Sequence, residues 1–257
     1  MSKVKVLMLR APGTNRDIDT QIAFEAAGAG VIDSALVGEL VRKDKKLSDF
    51  HILVIPGGFT YGDDISAGRI MANEIRLKLG GDIKKFVEDG RLVLGICNGF
   101  QVLVKTGILP GIPGQSGQPV TLTNNDSGRF ECRWVYLKAN KKSPCVFTKG
   151  IDSIYVPVAH GEGKLAAAPG VLEKLNTVLQ YVDEKGDTGA GYPYNPNGSV
   201  KDIAGICDSS GRIFGMMPHP EDFIRWTQHP RWTQEKERRD LYGLQIFTNA
   251  VAWAKGI

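Results

Sequence analysis

Arg91-Leu92-Val93-Leu94-Gly95-Ile96-Cys97-Asn98-Gly99-Phe100-Gln101 is the stretch that decides the fold. Its first half is a short apolar run of the length and composition of a buried strand. Residues 98–105 then read as a helix, with Gly107 as the C-cap signal. A fully apolar strand that turns at once into a helix is the repeating unit of a parallel sheet covered on both faces. The same alternation continues towards the N-terminus. Residues 4–9 and 30–36 read as strands, and residues 17–27 carry Ile18, Ile22, Ala23 and Ala26 at helical spacing before Gly28. His51-Ile52-Leu53-Val54-Ile55 is a buried strand ending at Pro56-Gly57-Gly58, and residues 82–89 form a short amphipathic helix closed by Gly90.

Towards the C-terminus the pattern is richer in strands, expected over residues 129–138, 153–158, 177–183, 203–207 and 212–217. A final helix is expected over residues 236–254 through Leu241, Leu244, Ile246, Phe247, Val251 and Trp253. Repeats, low-complexity segments and linkers are missing from the pattern. The expectation is therefore one α/β domain over residues 1–257, with a central, mostly parallel sheet flanked by helices. Residues 222–257 form its C-terminal extension.

Composition narrows the function classes. At 42% hydrophobic and 23% charged residues, the 257-residue chain has globular proportions. Its net charge of +4 is a mild basic excess. The densest basic runs, Arg42-Lys43-Asp44-Lys45-Lys46 and Glu235-Lys236-Glu237-Arg238-Arg239, are broken by acidic residues, so they read as solvated surface and not as a nucleic-acid face. The four cysteines make neither a disulfide framework nor a CxxC metal pair, so no metal site is expected. The N-terminus runs directly into strand-like sequence without a signal-peptide pattern, and no apolar run approaches the ~20 residues that span a bilayer. A cytoplasmic protein with no membrane partner is the expectation.

Gly95-Ile96-Cys97-Asn98-Gly99 has the G-x-C-x-G layout, the cysteine counterpart of the strand-turn-helix nucleophile elbow. Such a turn strains the nucleophile's backbone, and flanking glycines let the chain pass close to its neighbours. The N-terminus of the following helix favours a thiolate. Two readings of Cys97 remain at this point, a nucleophile and an inert core thiol. Cys132, Cys145 and Cys207 lie in strand-like or turn sequence and read as structural.

A cysteine nucleophile needs a base and a group that orients it. Among the four histidines, His219 stands out. Met216-Met217-Pro218-His219-Pro220-Glu221 follows an apolar strand, and the two prolines restrict the backbone around the imidazole. In extended chain, Glu221 would point to the same side as His219 and accept from one ring nitrogen, leaving the other for Cys97. Acyl transfer also needs two donors aimed at the developing oxyanion. The N–H of Asn98, just after the nucleophile, is one, and the Pro56-Gly57-Gly58-Phe59 strand end offers the second. Two polar loops, Asn124-Asn125-Asp126-Ser127-Gly128-Arg129-Phe130-Glu131 and His160-Gly161-Glu162-Gly163, suit recognition of a small zwitterion and suit ordinary turns equally well.

With these residues in place, nearly the whole chain resembles the class I, or triad, glutamine amidotransferases. Within that class it is similar to the glutaminase components of phosphoribosylformylglycinamidine synthase. The Cys elbow and His-Pro-Glu are shared across the class. Pro56-Gly57-Gly58-Phe59-Thr60-Tyr61-Gly62-Asp63-Asp64, Asn98-Gly99-Phe100 and Tyr192-Pro193-Tyr194-Asn195-Pro196-Asn197-Gly198-Ser199 point to the purine branch. The resemblance implies a flavodoxin-like core and hydrolysis of L-glutamine through a thioester on Cys97. It implies Cys97, His219 and Glu221 as triad, Gly58 and Asn98 at the oxyanion site, and Gln101, Asn124, Ser127, His160 and Gly161 as glutamine contacts. It also implies two partners, an ATP-dependent synthetase subunit and a small bridging subunit, with ATP and magnesium used by the synthetase and no cofactor in this chain. The stretch after Glu221, through Trp226, Trp232 and the last helix, departs from small stand-alone glutaminases, which commonly end there. The rival readings are the glutaminase of another nucleotide-biosynthetic amidotransferase and a non-catalytic regulatory module. Related cysteine hydrolases that place His directly after the Cys are disfavoured, because Asn98 holds that position.

Overall fold

The computed structural model describes residues 3–114 and 117–257. In chain order its strands are β1 (Lys5–Arg10), β2 (Val31–Leu36), β3 (Ile52–Ile55), β4 (Leu92–Ile96), β5 (Val120–Thr123), β6 (Glu131–Ala139), β7 (Ser153–His160), β8 (Lys164–Ala167), β9 (Asn176–Val182), β10 (Ile203–Cys207) and β11 (Ile213–Met216). Its α-helices are α1 (Asp17–Ala26), α2 (Val37–Val41), α3 (Arg69–Lys78), α4 (Gly80–Glu88), α5 (Asn98–Lys105) and α6 (Leu244–Ala254). Nine strands form one sheet in the order β2-β1-β3-β4-β11-β10-β9-β6-β7. The pairings from β2 through β11 are parallel, and those from β11 through β7 are antiparallel. The parallel half follows the flavodoxin-like order.

Burial explains the division. Every residue of β3, β4, β10 and β11 is buried, as expected of strands covered on both faces. β7 instead alternates, with Ile154, Val156, Val158 and His160 on the core side. Its other face, together with β6, meets the chain that follows residue 222. There Trp134 packs edge-on to Phe223 with ring centroids 5.3 Å apart, and Phe223 lies 4.6 Å from Tyr242.

Several elements differ from the sequence expectation, among them α6, α3, β5 and β8. The last helix starts at Leu244, not at residue 236. The Gly243 N–H is spent on the Phe223 carbonyl at 2.8 Å, and Leu241 closes a short 3₁₀ turn, so the chain is pinned to the preceding segment before a helix can begin. Helix α3 was not anticipated. Met71, Ala72 and Ile75 bury at helical spacing, but the helix opens on Gly68 in left-handed conformation without a side-chain cap, so the usual start signal is missing. The four-residue strands β5 and β8 pair only with each other, beside the main sheet, and are too short to stand out by periodicity. Among the described residues no helix is long and apolar enough to cross a membrane.

Candidate active site

Ligand sites in open α/β sheets lie beyond the carboxyl ends of the parallel strands. Three neighbouring strands, β3, β4 and β11, deliver Gly57-Gly58, Cys97 and His219 to that edge. β7 delivers His160.

Cys97 sits between β4 and α5 at φ 51° and ψ −106°. That region is sparsely populated for a residue with a Cβ and costs of order 1–3 kcal/mol. The surroundings impose it. The Cys97 N–H donates to Met216 O at 2.8 Å, which holds the bend against β11. A Cβ on Gly99 would lie 1.8 Å from Ile55 O, so only glycine lets α5 start this close to β3. The Asn98 side chain completes the turn: its oxygen accepts from Thr60 Oγ1 at 2.7 Å, and its nitrogen donates to Asp63 Oδ1 and Gln101 Oε1 at 3.1 and 3.0 Å. It thereby grips the segment in which Tyr61 and Asp63 both hold positive φ.

His219 is buried, and its Nδ1 lies 2.7 Å from Glu221 Oε1. A carboxylate only accepts, so Nδ1 carries the proton and Nε2 is the remaining nitrogen. Nε2 has no hydrogen-bond partner among the described residues. Burial opposes a charge on the imidazole, but the Glu221 carboxylate and the Cys97 sulfur outweigh it, and the His219 pKa is well raised. Sulfur and ring thus act on each other without a hydrogen bond of good alignment. Glu221 reaches the ring from a 3₁₀ turn, Pro220–Asp222, and not from extended chain as the residue spacing suggested. The turn is fixed at its start by the His219 N–H to Pro157 O at 2.8 Å. Gly57 lies against the imidazole, where a Cβ would come within 2.9 Å of His219 Cε1.

At the expected oxyanion donors, the N–H groups of Gly58 and Asn98 donate to no acceptor among the described residues. The amide of Phe59 is not available, because it donates to Gly13 O at 2.9 Å.

The other residues named from the sequence divide. Gln101 is buried and locked, its nitrogen donating to Glu162 O at 2.6 Å. His160 is buried with Nδ1 3.2 Å from Asn125 Oδ1 and Nε2 3.4 Å from Asn197 Nδ2, so its ring holds loops together. Burial, then the charge of His219, pushes its pKa down to about 4. The carbonyl of Gly161 accepts from the Asn125 N–H at 2.9 Å. Asn124 and Ser127 are exposed, and Ser127 Oγ accepts from the Arg129 N–H in its own turn. Sequence reasoning passed over the buried Asn125, Asn197 and Tyr181, which extend this network towards Cys97. Asn125 and Asn197 stood inside quoted loops, but nothing in an Asn-rich loop tells which amide turns inward. Arg16 was also passed over. Among the described residues no group of three or more His, Cys, Asp or Glu is placed to hold a metal.

A strained thiol, a buried imidazole held by a carboxylate and two amides without an acceptor among the described residues are what a cysteine-dependent acyl-transfer site requires. Residues 3–254 match the model of the CobB/CobQ-like glutamine amidotransferase domain. The chain is 58% identical over 257 residues, all of both chains, to phosphoribosylformylglycinamidine synthase subunit PurQ of Dehalococcoides mccartyi. It is 42% identical to the subunit of the same name from Methanococcus maripaludis, covering 97% of each chain. It also superposes on a chain of the solved PurLQS structure from Thermotoga maritima with a TM-score of 0.74 and 30% identity, covering 98% of this chain and 99% of that one. The chain belongs to the PurQ family of phosphoribosylformylglycinamidine synthase subunits. The stretch after Glu221 is no departure from that family, since the Dehalococcoides relative matches it end to end.

Proposed function

We propose that this chain is the glutaminase subunit of phosphoribosylformylglycinamidine synthase, splitting L-glutamine at Cys97 and passing ammonia to a synthetase subunit. The observation that carries the chemistry is His219, with Nδ1 bound to Glu221, Nε2 without a partner among the described residues, and the strained Cys97 sulfur close enough to raise its pKa. His219 Nε2 takes the Cys97 thiol proton as the sulfur attacks the carboxamide carbon of glutamine, and the N–H groups of Gly58 and Asn98 receive the oxyanion. His219 gives a proton to the departing nitrogen, and ammonia leaves behind a γ-glutamyl thioester. Water, deprotonated by His219, then attacks the thioester, and glutamate leaves as the thiol is restored. Glu221 keeps the imidazole in the tautomer this requires and stabilises its charged form.

Of the residues implied as glutamine contacts, Asn124, Ser127 and Gly161 are the ones near open surface, while Gln101 and His160 act by holding the walls. The synthetase partner consumes the ammonia in ATP- and magnesium-dependent amidation of formylglycinamide ribonucleotide, and a small third subunit bridges the two. This chain needs no cofactor of its own and works in the cytoplasm. The test is product formation by the reconstituted complex of Cys97→Ala. Glutamine-dependent synthesis should vanish while synthesis from added ammonium salt persists. Retained glutamine-dependent synthesis would overturn the reading.

A further inference from the structure

We propose that Arg16 is a positioning residue that clamps the Gly57-Gly58 strand end to the His219–Glu221 turn. The inference rests on the glutaminase reading above and assigns Arg16 no contact with substrate. Two halves of the site meet on this residue. Its backbone N–H donates to Gly57 O at 3.2 Å, and the N–H of Asn15 donates to the same oxygen at 3.4 Å. A Cβ built on Gly57 would lie 3.3 Å from Arg16 Cγ and 2.9 Å from His219 Cε1, so the side-chain stem of Arg16 and the imidazole flank the same α-carbon. The guanidinium reaches past it to the other half. Arg16 Nη1 lies 3.2 Å from Asp222 Oδ1 and 3.4 Å from Asp19 Oδ2. Asp222 directly follows Glu221, and its N–H donates to His219 O at 3.3 Å, so a hold on Asp222 fixes the short turn that carries both base and orienter.

The clamp stands on a rigid base. Arg16 O accepts from the N–H and the Oγ1 of Thr20, at 3.1 and 2.6 Å, at the start of α1. Thr20 is fully buried, and α1 is braced by Phe24 edge-on to Phe247 of α6 with ring centroids 5.0 Å apart.

Charge points the same way. Glu221, Asp222 and Asp19 crowd one corner, faced by Arg16 and His219. Burial and the Glu221 charge raise the Asp222 pKa to about 6, against the pull of His219 and Arg16. A carboxyl whose folded pKa is raised adds stability below its unfolded value and loses that stability as pH rises through the folded one. At pH 8 an ionised Asp222 is therefore kept at a cost to the fold, which suits a group retained for alignment and not for stability.

The backbone bonds of Arg16 survive substitution, so side-chain variants isolate the guanidinium clamp. In the reconstituted complex, Arg16→Gln should lower kcat for glutamine hydrolysis about tenfold, the scale of a small misplacement of reacting groups, with KM within about twofold. Arg16→Lys should recover part of the loss. Asp222→Asn should slow turnover to a similar extent, the double variant should be no slower than either single one, and Asp222→Asn should melt at pH 8 no lower than the parent. A kcat for Arg16→Gln within twofold of the parent would overturn the inference and leave the glutaminase reading intact. So would parallel losses of kcat and melting temperature with no rescue by Lys. A parent complex without glutamine hydrolysis would remove both.

Discussion

The bend at Cys97 is set by its sequence neighbours, whereas the turn that carries His219 and Glu221 is placed by residues from four distant parts of the chain. At the cysteine, the strand before it, the glycine two residues on and the asparagine beside it set the bend, while Met216 O, Ile55 O, the 60–63 segment and Ala159 O, 3.6 Å from Sγ, close around it. At that turn, Pro157 and Gly57 meet His219, Arg16 meets Asp222 and Gly243 meets Phe223, while Glu221 and Asp222 supply the local bonds. The comparison teaches that the same site is built once by local backbone chemistry and once by tertiary contact. The elbow should therefore respond to changes within it. The turn should respond to changes far away in sequence.

The largest expected effect lies at the elbow. Cys97→Ala should reduce glutamine hydrolysis by at least about 10³-fold with the fold intact, measured by glutamate release and circular dichroism. Next comes the local part of the turn. Glu221→Gln should lower kcat by roughly 10²-fold, less than the roughly 10⁴-fold cost of losing the orienting carboxylate in the serine triad, because a thiol is intrinsically more nucleophilic and leans less on its base. Glu221 raises the His219 pKa, so removing its charge should move the limb of the kcat/KM profile assigned to His219 to lower pH. The same sign governs stability. The charged pair supports the fold below the unfolded imidazole value of about 6.5, and that support fades as pH rises through the folded value. An unmoved profile would detach Glu221 from His219.

Gly57→Ala tests the distant part of the turn. The new Cβ presses on His219 Cε1, and kcat should fall by about tenfold with little change in melting temperature. Unchanged kinetics would mean that the imbalance between the two regions is smaller than described. The smallest effect is expected at Cys132, an exposed thiol on β6. Cys132→Ser should leave turnover within twofold and stability within about 0.5 kcal/mol, and a larger loss would break the assignment of reactivity to the elbow alone.

The same division decides what the sequence disclosed. Helix α5 and strand β10 match the sequence expectation residue for residue, because a buried apolar run and a glycine stop are local signals. The candidate triad stood out for the same reason: G-x-C-x-G and His-Pro-Glu are short motifs, and the structure brings the strand ends that carry them to one edge of the sheet. Arg16 was not legible, since its partner Asp222 lies 206 residues away and neither side chain stands out by type. The start of α6 was misjudged because the helical spacing of Leu241 runs on from Leu244, while the Phe223 carbonyl, which only the fold brings near, captures Gly243. Asn125 was hidden beside Asn124 because burial, and not identity, separates them.

The most direct test is to treat the chain, in the proposed reconstituted complex, with an electrophilic glutamine analogue and to map the adduct by mass spectrometry. The account predicts one added γ-glutamyl-type group, on the sulfur of residue 97, with labelling that slows sharply in Glu221→Gln. Adducts spread over the other three thiols, or labelling of residue 97 at an unchanged rate without the carboxylate, would contradict it.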